Sequence, residues 1–510
     1  MTANATMQLT ARPRATIREW TGLAVLALPC ILYSMDLTVL NLAVPKLTAD
    51  LGPSAVELLW IVDIYGFVLA GALLPMGVLG DRIGRRRLLM IGAAAFGLAS
   101  IAAAFATTVW MLISARALLG LAAATLAPST LSLVTNMFRD PAQRTFAIGV
   151  WIASFSSGAA IGPVLGGIVL EYYWWGAVFL LNVPVMVLLL AVGPWLLPEA
   201  READSPWPDF VSAALSMAAV LSVVYGIKLF AHSGLSLAVG AALVLSVLMT
   251  AILVRRQHRL ADPLIDLTLF RRPAFSTAIA VNIFGFFIAF GSFLLIAQYL
   301  QLALGLSPME AGLWSAPSGI AFVAGALLTP LMTRFVTPPR LVALALTVAA
   351  AGFLLLGIGN DPDLVQVIAG YIVFSFGLAP VFTLTTDLIV SAAPPERAGS
   401  AAGIAETSTE LGGALGIALL GSLAAALYRL DLESSIRGVV AGDAIAAASK
   451  ALGRVSSLAA ALPTEQGAAL IAAAQVAFGN GFQMAALASA AIALLTAAVT
   501  FSVIGRRATS

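Results

Sequence analysis

The sequence predicts an all-α integral membrane protein with fourteen transmembrane helices, arranged as two six-helix halves of the same orientation plus two inserted helices. Three observations predict this fold class. Hydrophobic residues make up 60% of the chain and charged residues only 10%, whereas soluble domains hold roughly 45–50% and about 25%. Apolar stretches of membrane-spanning length recur along the whole chain. Several short motifs also repeat at one nearly constant spacing.

Fourteen apolar stretches are long enough to cross about 30 Å of hydrocarbon, which takes around 20 helical residues. Their centres lie near residues 34, 67, 97, 121, 156, 187, 218, 245, 286, 321, 349, 377, 414 and 493. The first stretch follows Arg12, Arg14 and Arg18, as a secretory signal would. From Gly22 to Pro45 it is too long for one and has no small-residue cleavage site. We therefore expect it to remain as the first membrane helix.

The distribution of basic residues predicts the orientation. Loops on the side of the N-terminus hold 20 of the 27 Lys and Arg, the opposite loops hold 6, and Arg116 lies within a span. Basic residues concentrate in cytoplasmic loops, so we expect both termini in the cytoplasm. The segment 429–481 is then the one long external excursion. It is Ala-rich and is compatible with a short helical hairpin.

An internal repeat predicts the domain organisation. Three elements recur at a spacing of 252 to 254 residues. The pair Trp60 and Gly71 recurs as Trp314 and Gly325, and the pair Gly158 and Gly162 recurs as Gly412 and Gly416. The tripeptide Leu126-Ala127-Pro128 recurs as Leu378-Ala379-Pro380. Parallel repeats of this kind build many transporter folds, although coincidence in an Ala- and Gly-rich chain is the alternative interpretation. The predicted units are a first half at 1–200, an inserted pair with a linker at 201–272, and a second half at 273–510.

Ionisable residues inside the spans point to a transport pathway. A charged side chain facing lipid costs about 2.5–3.5 kcal/mol on insertion scales, so such residues usually face a cavity or a partner. The candidates for proton and substrate coupling are Asp36, Asp63, Arg116, Glu406 and Glu410. Acidic residues dominate this set, which favours protons and organic cations as cargo over anions. A sixth ionisable residue, Asp387, is expected at the cytoplasmic membrane interface.

Aromatic side chains near these positions could bind a cation through their ring faces. The candidates for the substrate cavity are Trp60, Tyr65, Trp151, Phe155, Phe286, Phe290 and Trp314. Packing or anchoring at the membrane interface is the alternative role for most of them. The two histidines and the single Cys30 form no ligand cluster, so no metal, cofactor or disulfide is predicted. No basic face for nucleic acid is indicated.

Two segments carry a family resemblance. Residues 77–88 resemble the loop signature between helices 2 and 3 of the major facilitator superfamily, with Gly77, Asp81, Arg82, Gly84, Arg85 and Arg86 at its characteristic positions. The fifth span reproduces the signature of the superfamily's antiporters through Gly149, Gly158, Gly162, Pro163, Gly166 and Gly167. The first span, from Asp36 to Pro45, resembles the motif of fourteen-helix drug/proton antiporters.

The resemblance implies a major facilitator fold and proton-driven export of bulky lipophilic cations such as quaternary ammonium compounds, dyes, antiseptics and drugs. It implies that Asp81 latches the cytoplasmic side by pairing with arginines and with the positive end of a second-half helix. It implies that Arg116 takes part in proton handling, although the glutamine that often follows three residues later is Leu119 here. A bacterial plasma membrane location and function as a monomer are the corresponding expectations.

Other classes of function fit the sequence less well. An ATP-driven pump needs a phosphate-binding loop that contains Gly-Lys, and no Gly-Lys pair occurs in the chain. A membrane enzyme would need a catalytic constellation, and His232 and His258 have no evident partners. An importer of the same fold, or an exporter of an endogenous metabolite or amphipathic lipid, remains an alternative.

Overall fold

The computed structural model describes residues 14–53, 55–199, 209–233, 235–260, 263, 265, 267–306, 308–359, 362–393, 398–436 and 455–502. Throughout these residues the chain is helical, with short connections and no strand. The first helices are α1 (Ile17–Leu51), α2 (Ala55–Ile83), α3 (Arg85–Ala104), α4 (Val109–Met137), α5 (Pro141–Tyr172), the short α6 (Ala177–Leu180) and α7 (Asn182–Leu196).

The remaining helices include the predicted inserted pair and the second half. They are α8 (Phe210–Ser233), α9 (Leu237–Gln257), α10 (Pro273–Gln298), α11 (Pro308–Met332), α12 (Pro338–Gly357), α13 (Leu364–Ala392), α14 (Ala398–Ile436), the short α15 (Val455–Ala460) and α16 (Thr464–Thr500). A 3₁₀ turn at Leu269–Arg271 precedes α10, and a π-helical turn at Tyr299–Ala303 extends it.

Eleven helices in the described part of the chain are long and apolar enough to cross a membrane. Every one of the predicted span centres falls within a helix. The protein is therefore a multi-pass helical membrane protein. The count of fourteen spans and the cytoplasmic position of both termini stay predictions.

Close helix packing reproduces the internal repeat. Gly158 of α5 lies against the backbone carbonyl of Ile31 in α1, and a β-carbon at this position would collide with that oxygen. Gly412 of α14 meets the carbonyl of Ile283 in α10 in the same way. Small residues allow membrane helices to approach backbone to backbone. Equivalent glycines thus fix equivalent helix pairs in the two predicted halves.

Two further glycines make contacts between the predicted halves. A β-carbon on Gly149 of α5 would lie 2.7 Å from the carbonyl oxygen of Ala326 in α11, and one on Gly403 of α14 would lie 3.0 Å from Cα of Leu74 in α2. Both contacts lie towards one end of the bundle. We call it the basic end, because the loop from Gly84 to Arg87 lies there. The halves are therefore in close contact near the basic end.

The pair α8 and α9 packs on the outside of the bundle. Leu221 of α8 contacts Gly71 of α2. At the start of α8, Asp209 accepts a hydrogen bond of 2.8 Å from Arg256 at the end of α9. Much of the α9 surface is apolar and exposed, including Val244 and Val247, as expected for a helix that faces lipid. This pair is thus peripheral to the interior site.

Helices α14 and α16 continue into the segment predicted as an external loop at 429–481. Within that segment Leu432, Ile436 and Leu470 are buried, and Asn480 donates a hydrogen bond of 2.9 Å to Asp431. These packing partners explain why both helices extend further than hydropathy alone predicted. Residues 437–454 lie outside the described part of the chain.

Candidate functional site

A buried ion pair joins α1 and α4 in the interior. The Nη1 of Arg116 donates to Oδ2 of Asp36, and the two residues are only 1% and 6% exposed. The Nε of Arg116 donates to the carbonyl of Ile61 at 3.2 Å, and Nη2 to that of Val62 at 3.4 Å. The guanidinium carbon lies 4.6 Å from the ring centre of Tyr65. Arg116 therefore ties together three helices of the first half.

This pair has no net charge. A buried cation is costly unless a carboxylate compensates it, and Asp36 provides that compensation for Arg116. The sequence placed Asp63 within reach of the same group. The side chain of Asp63 lies outside the described residues, so its predicted place in this cluster stays a prediction.

Two glutamates on α14 form a second acidic group. Glu406 is 6% exposed, and no Lys or Arg forms an ion pair with it within the described residues. One helical turn later, Glu410 accepts a hydrogen bond of 2.7 Å from the hydroxyl of Tyr33 in α1. This bond links α1, which bears Asp36, to α14, which bears both glutamates.

Aromatic rings line the first-half side of this region. The ring of Tyr33 meets Phe155 edge to face at 5.3 Å, and Phe155 meets Trp151 at 4.7 Å. The Nε1 of Trp151 donates to Oγ1 of Thr130 at 3.0 Å. Tyr33 therefore connects two of the predicted cavity aromatics with Glu410. Tyr33 itself was absent from the sequence-based candidates, although it precedes Asp36 by three residues and so lies on a neighbouring part of the α1 surface.

The other predicted aromatics divide into two groups. Phe286 stacks on Phe382 at 3.9 Å and meets Phe290 edge to face at 5.6 Å, and Phe290 contacts Gly413 on α14. Trp60 and Trp314 are 39% and 45% exposed. The structure thus brings the two phenylalanines against the glutamate-bearing helix and leaves the two tryptophans on open surfaces.

The predicted gate surrounds the connection between α2 and α3. Asp81 and Arg85 form a buried ion pair, and Nη1 of Arg85 also donates to the carbonyl of Gly77 at 2.6 Å. Arg86 donates to the carbonyl of Pro194 at 2.9 Å and lies 3.4 Å from the carboxylate of Glu199. The pairing of Asp81 with an arginine agrees with the expectation.

Gly84, between these two helices, has φ +106°, a backbone conformation that glycine adopts without strain. Arg82 occupies the last turn of α2. The expected contact of Asp81 with the start of a second-half helix stays a prediction. Residues 394–397, which lead into α14, lie outside the described residues.

A further ion pair at the basic end was not predicted. The Nε of Arg144 on α5 donates to Oδ1 of Asp387 on α13 at 2.9 Å, and Thr145 Oγ1 donates to Oδ2 at 3.4 Å. Asp387 thus contacts a helix of the other predicted half. The sequence contained only a weak indication of this role for Asp387, namely a carboxylate near the end of an apolar helix.

The glycine signature on α5 mainly serves helix packing. Gly158 and Gly149 make the backbone contacts described above, and Gly166 contacts Val39 of α1. Gly162 is buried, whereas a β-carbon added to Gly167 would have no neighbour within 4 Å. The side chain of Pro163 lies outside the described residues.

The sequence matches the model of the Major Facilitator Superfamily over residues 26–417. It is 40% identical over 488 residues to the multidrug efflux pump LfrA of Mycolicibacterium smegmatis, covering 95% of this chain and 96% of that protein. It is 37% identical over 492 residues to the methyl viologen resistance protein SmvA of Salmonella typhimurium, covering 94% and 97%.

A solved structure shows the same fold. The human organic anion transporter MFSD10 (TETRAN) superposes with a TM-score of 0.59 over 94% of this chain and 99% of that chain, at 15% sequence identity. At this identity the likeness concerns the fold alone.

Proposed function

Because this chain belongs to the major facilitator superfamily of membrane transporters, we propose that it is a proton-coupled antiporter that exports bulky lipophilic organic cations. Quaternary ammonium compounds, dyes, antiseptics and drugs are the proposed substrates. Similarity to a multidrug efflux pump and to a methyl viologen resistance protein supports export of drugs. The proposed location is the bacterial plasma membrane, with fourteen spans and the basic end in the cytoplasm.

The net charge of the interior carries the proposal. Arg116 is neutralised by Asp36, whereas Glu406 has no basic partner within the described residues. An apolar interior with surplus carboxyl groups attracts protons and cations and disfavours anions. A superfamily member built for anions would need the opposite balance of charge in its interior.

Proton exchange follows from the same groups. A buried carboxyl can hold a proton in an apolar setting and release it when a cation arrives. Glu406 and Glu410 are proposed as one exchange group and Asp36 with Asp63 or Arg116 as the other. Rings such as Phe155 and Trp151 would each stabilise a bound cation by about 0.5–2 kcal/mol. Such contacts restrict the shape and size of the substrate less than a hydrogen-bonded site would.

The contacts at the basic end support alternating access. Gly149 and Gly403 bring the halves together there, and Arg144 pairs with Asp387 across the same interface. Such contacts must separate for a substrate to enter from the cytoplasm. Asp81 and Arg85 would set how readily they do so, by holding the end of α2 in place.

Ethidium transport by the purified protein in proteoliposomes tests the proposal. A pH gradient should drive ethidium out of the compartment that corresponds to the cytoplasm, and Glu406→Gln should slow this transport and change its dependence on the gradient. Glu171→Gln is the matched control, because Glu171 is exposed at the end of α5. Competition by a monovalent quaternary ammonium compound and by methyl viologen, a dication, then defines the substrate range.

Ethidium uptake in the opposite direction would indicate an importer. Absence of any ethidium transport would favour an endogenous metabolite or lipid as the substrate.

A further inference from the structure

Tyr33 connects the two halves in the middle of the bundle. Its side chain belongs to α1 in the first half and is 7% exposed. Its hydroxyl donates a hydrogen bond of 2.7 Å to Oε1 of Glu410, on α14 in the second half. The glycine contacts and the Arg144–Asp387 pair join the halves near the basic end. The Tyr33–Glu410 bond differs from them because its acceptor is a carboxylate that is proposed to exchange protons.

Several other titratable groups surround this bond. They include Glu406 on α14, Cys30 on α1, Tyr65 on α2 and, beyond Tyr65, the Asp36–Arg116 pair. The rings of Tyr33 and Tyr65 are 6.4 Å apart. Helix α5 contributes only the ring of Phe155 to the contact with Tyr33. Replacement of Glu410 is therefore the test that assigns a pH response to this carboxyl group rather than to a neighbour.

We propose that Tyr33 is a positioning residue that makes separation of the two halves depend on the proton held by Glu410. A hydroxyl donates a shorter and stronger hydrogen bond to an ionised carboxylate than to a neutral carboxyl group. While Glu410 is ionised, the bond ties α1 to α14. When Glu410 takes up a proton, or pairs with a cationic substrate, the bond weakens and the helices can part.

This role differs from those of the other site residues. The acidic groups hold the exchanged proton, and the aromatic rings contact the cargo. Tyr33 does neither in this scheme. Through its hydrogen bond, the protonation state of Glu410 affects α1, the helix that also bears Asp36. The proposal rests on the proposed proton-coupled export and names a residue through which coupling occurs.

A distance measurement without substrate tests the proposal. Because Cys30 is the only cysteine, Cys30→Ser provides a background in which spin labels can be placed at Arg139→Cys and Phe335→Cys. Both positions are exposed near the basic end, one in each half. The label-to-label distance is measured in detergent across a pH series. In this background we expect it to lengthen as the pH falls and Glu410 takes up its proton.

Tyr33→Phe removes the hydroxyl and keeps the ring. Without the bond, protonation of Glu410 no longer changes the link between α1 and α14, so most of the pH-dependent change in distance should be lost. Tyr299→Phe is the matched control, because it removes a buried hydroxyl that donates to the backbone carbonyl of Pro362 far from the glutamates. Its distance change should equal that of the background protein.

Combination with Glu410→Gln separates this role from a structural one. An amide does not titrate, so Glu410→Gln alone should lose the pH response, and Tyr33→Phe added to it should cause no further change. If Tyr33→Phe fails to fold, Glu410→Asp replaces it: the shorter side chain draws the carboxylate away from Tyr33, and the same loss of the pH response is expected. The proposal is overturned by a background distance that ignores pH, by a Tyr33→Phe response equal to that of Tyr299→Phe, or by a full response that persists with Glu410→Gln. Loss of ethidium export by the unmodified protein would instead contradict the proposed function, since these distances are measured without drug.

Discussion

Arg144 on α5 and Asp387 on α13 form an ion pair of 2.9 Å across the interface between the two predicted halves. Their side chains are 23% and 16% exposed, so water screens the attraction only in part. The hydroxyl of Thr145 supports the same carboxylate. The pair therefore holds the basic end closed in the conformation described.

Breaking this pair should open the basic end more often. Asp387→Asn is expected to weaken the contact by about 0.5–1 kcal/mol, as for partly exposed ion pairs, which corresponds to a two- to five-fold rise in the open population. The measurement is the labelling rate of a cysteine placed in the interface, in the Cys30→Ser background. The exchange Arg144→Asp with Asp387→Arg should restore part of the protection. Equal labelling of the parent and Asp387→Asn would show that the pair has no part in closure.

Asp36→Asn should abolish export, because the amide keeps the size of the side chain but cannot exchange a proton. It also leaves Arg116 buried without a carboxylate, a change that typically costs about 3–5 kcal/mol. Thermal unfolding should therefore occur at lower temperature. The double variant Asp36→Asn with Arg116→Gln should regain thermal stability without regaining ethidium export. Normal export by Asp36→Asn would remove Asp36 from the mechanism.

Asp81→Ala should slow turnover more than it weakens substrate binding. Asp81 pairs with Arg85 at the end of α2, away from the proposed cargo site, so its loss alters the balance of conformations without touching substrate. The measurements are ethidium affinity by fluorescence and the rate of transport on the same preparation. Glu199→Gln is a useful comparison, because it weakens only the neighbouring contact with Arg86. A defect confined to affinity would contradict the latch assignment.

Transport should respond to membrane potential if more than one proton enters per monovalent cation exported. Moving one charge across 100 mV is worth about 2.3 kcal/mol, and one-for-one exchange would be electroneutral. We expect two protons, with Asp36 and the α14 glutamates as separate exchange groups. A potential negative on the cytoplasm-equivalent side should then drive efflux without a pH gradient. Neutralising Glu406 and Glu410 together should change this voltage dependence, and a complete lack of response in the unmodified protein would indicate one-for-one exchange.

Asp209 provides a test of pH dependence outside the membrane spans. Partial burial raises the pKa of its carboxyl group, but hydrogen bonds from Ser212, Arg256 and the backbone amides of Ser212 and Val211 outweigh this effect, so the net pKa is lowered. A lowered pKa means that the ionised form stabilises the fold above the ordinary pKa and that this stabilisation disappears as the pH falls through the lowered value.

Asp209→Asn should accordingly destabilise the protein by about 0.5–1 kcal/mol through loss of the ion pair with Arg256, because asparagine caps a helix about as well as aspartate. The difference in thermal stability from the parent should be constant between pH 5.5 and 8, as the carboxylate stays ionised throughout. It should shrink only in strong acid. A difference that varied across the neutral range would show that another group is responsible.

Hydropathy predicted the positions of the helices because the thickness of the hydrocarbon layer sets their length. The glycine repeat was also predictable from the sequence, because two helix backbones can approach this closely only where a residue has no side chain. Pairings such as Tyr33 with Glu410 and Arg144 with Asp387 could not be predicted. They depend on how each helix is rotated about its axis. Helices such as α5 and α14 have no single polar or apolar face, so their sequences contain little pattern that indicates this rotation.

Helix α14 runs for 39 residues with no proline, about 58 Å at 1.5 Å per residue, or nearly twice the thickness of the hydrocarbon layer. Gly403 lies near its start, against α2, and the buried Leu432 lies near its end, in the segment predicted to be external. A stiff rod of this length acts as a lever, and a small tilt at the first contact becomes a larger displacement at the far tip. A fluorophore or antibody fragment attached near Leu432 would therefore report, from one side of the membrane, whether the protein is open on the other.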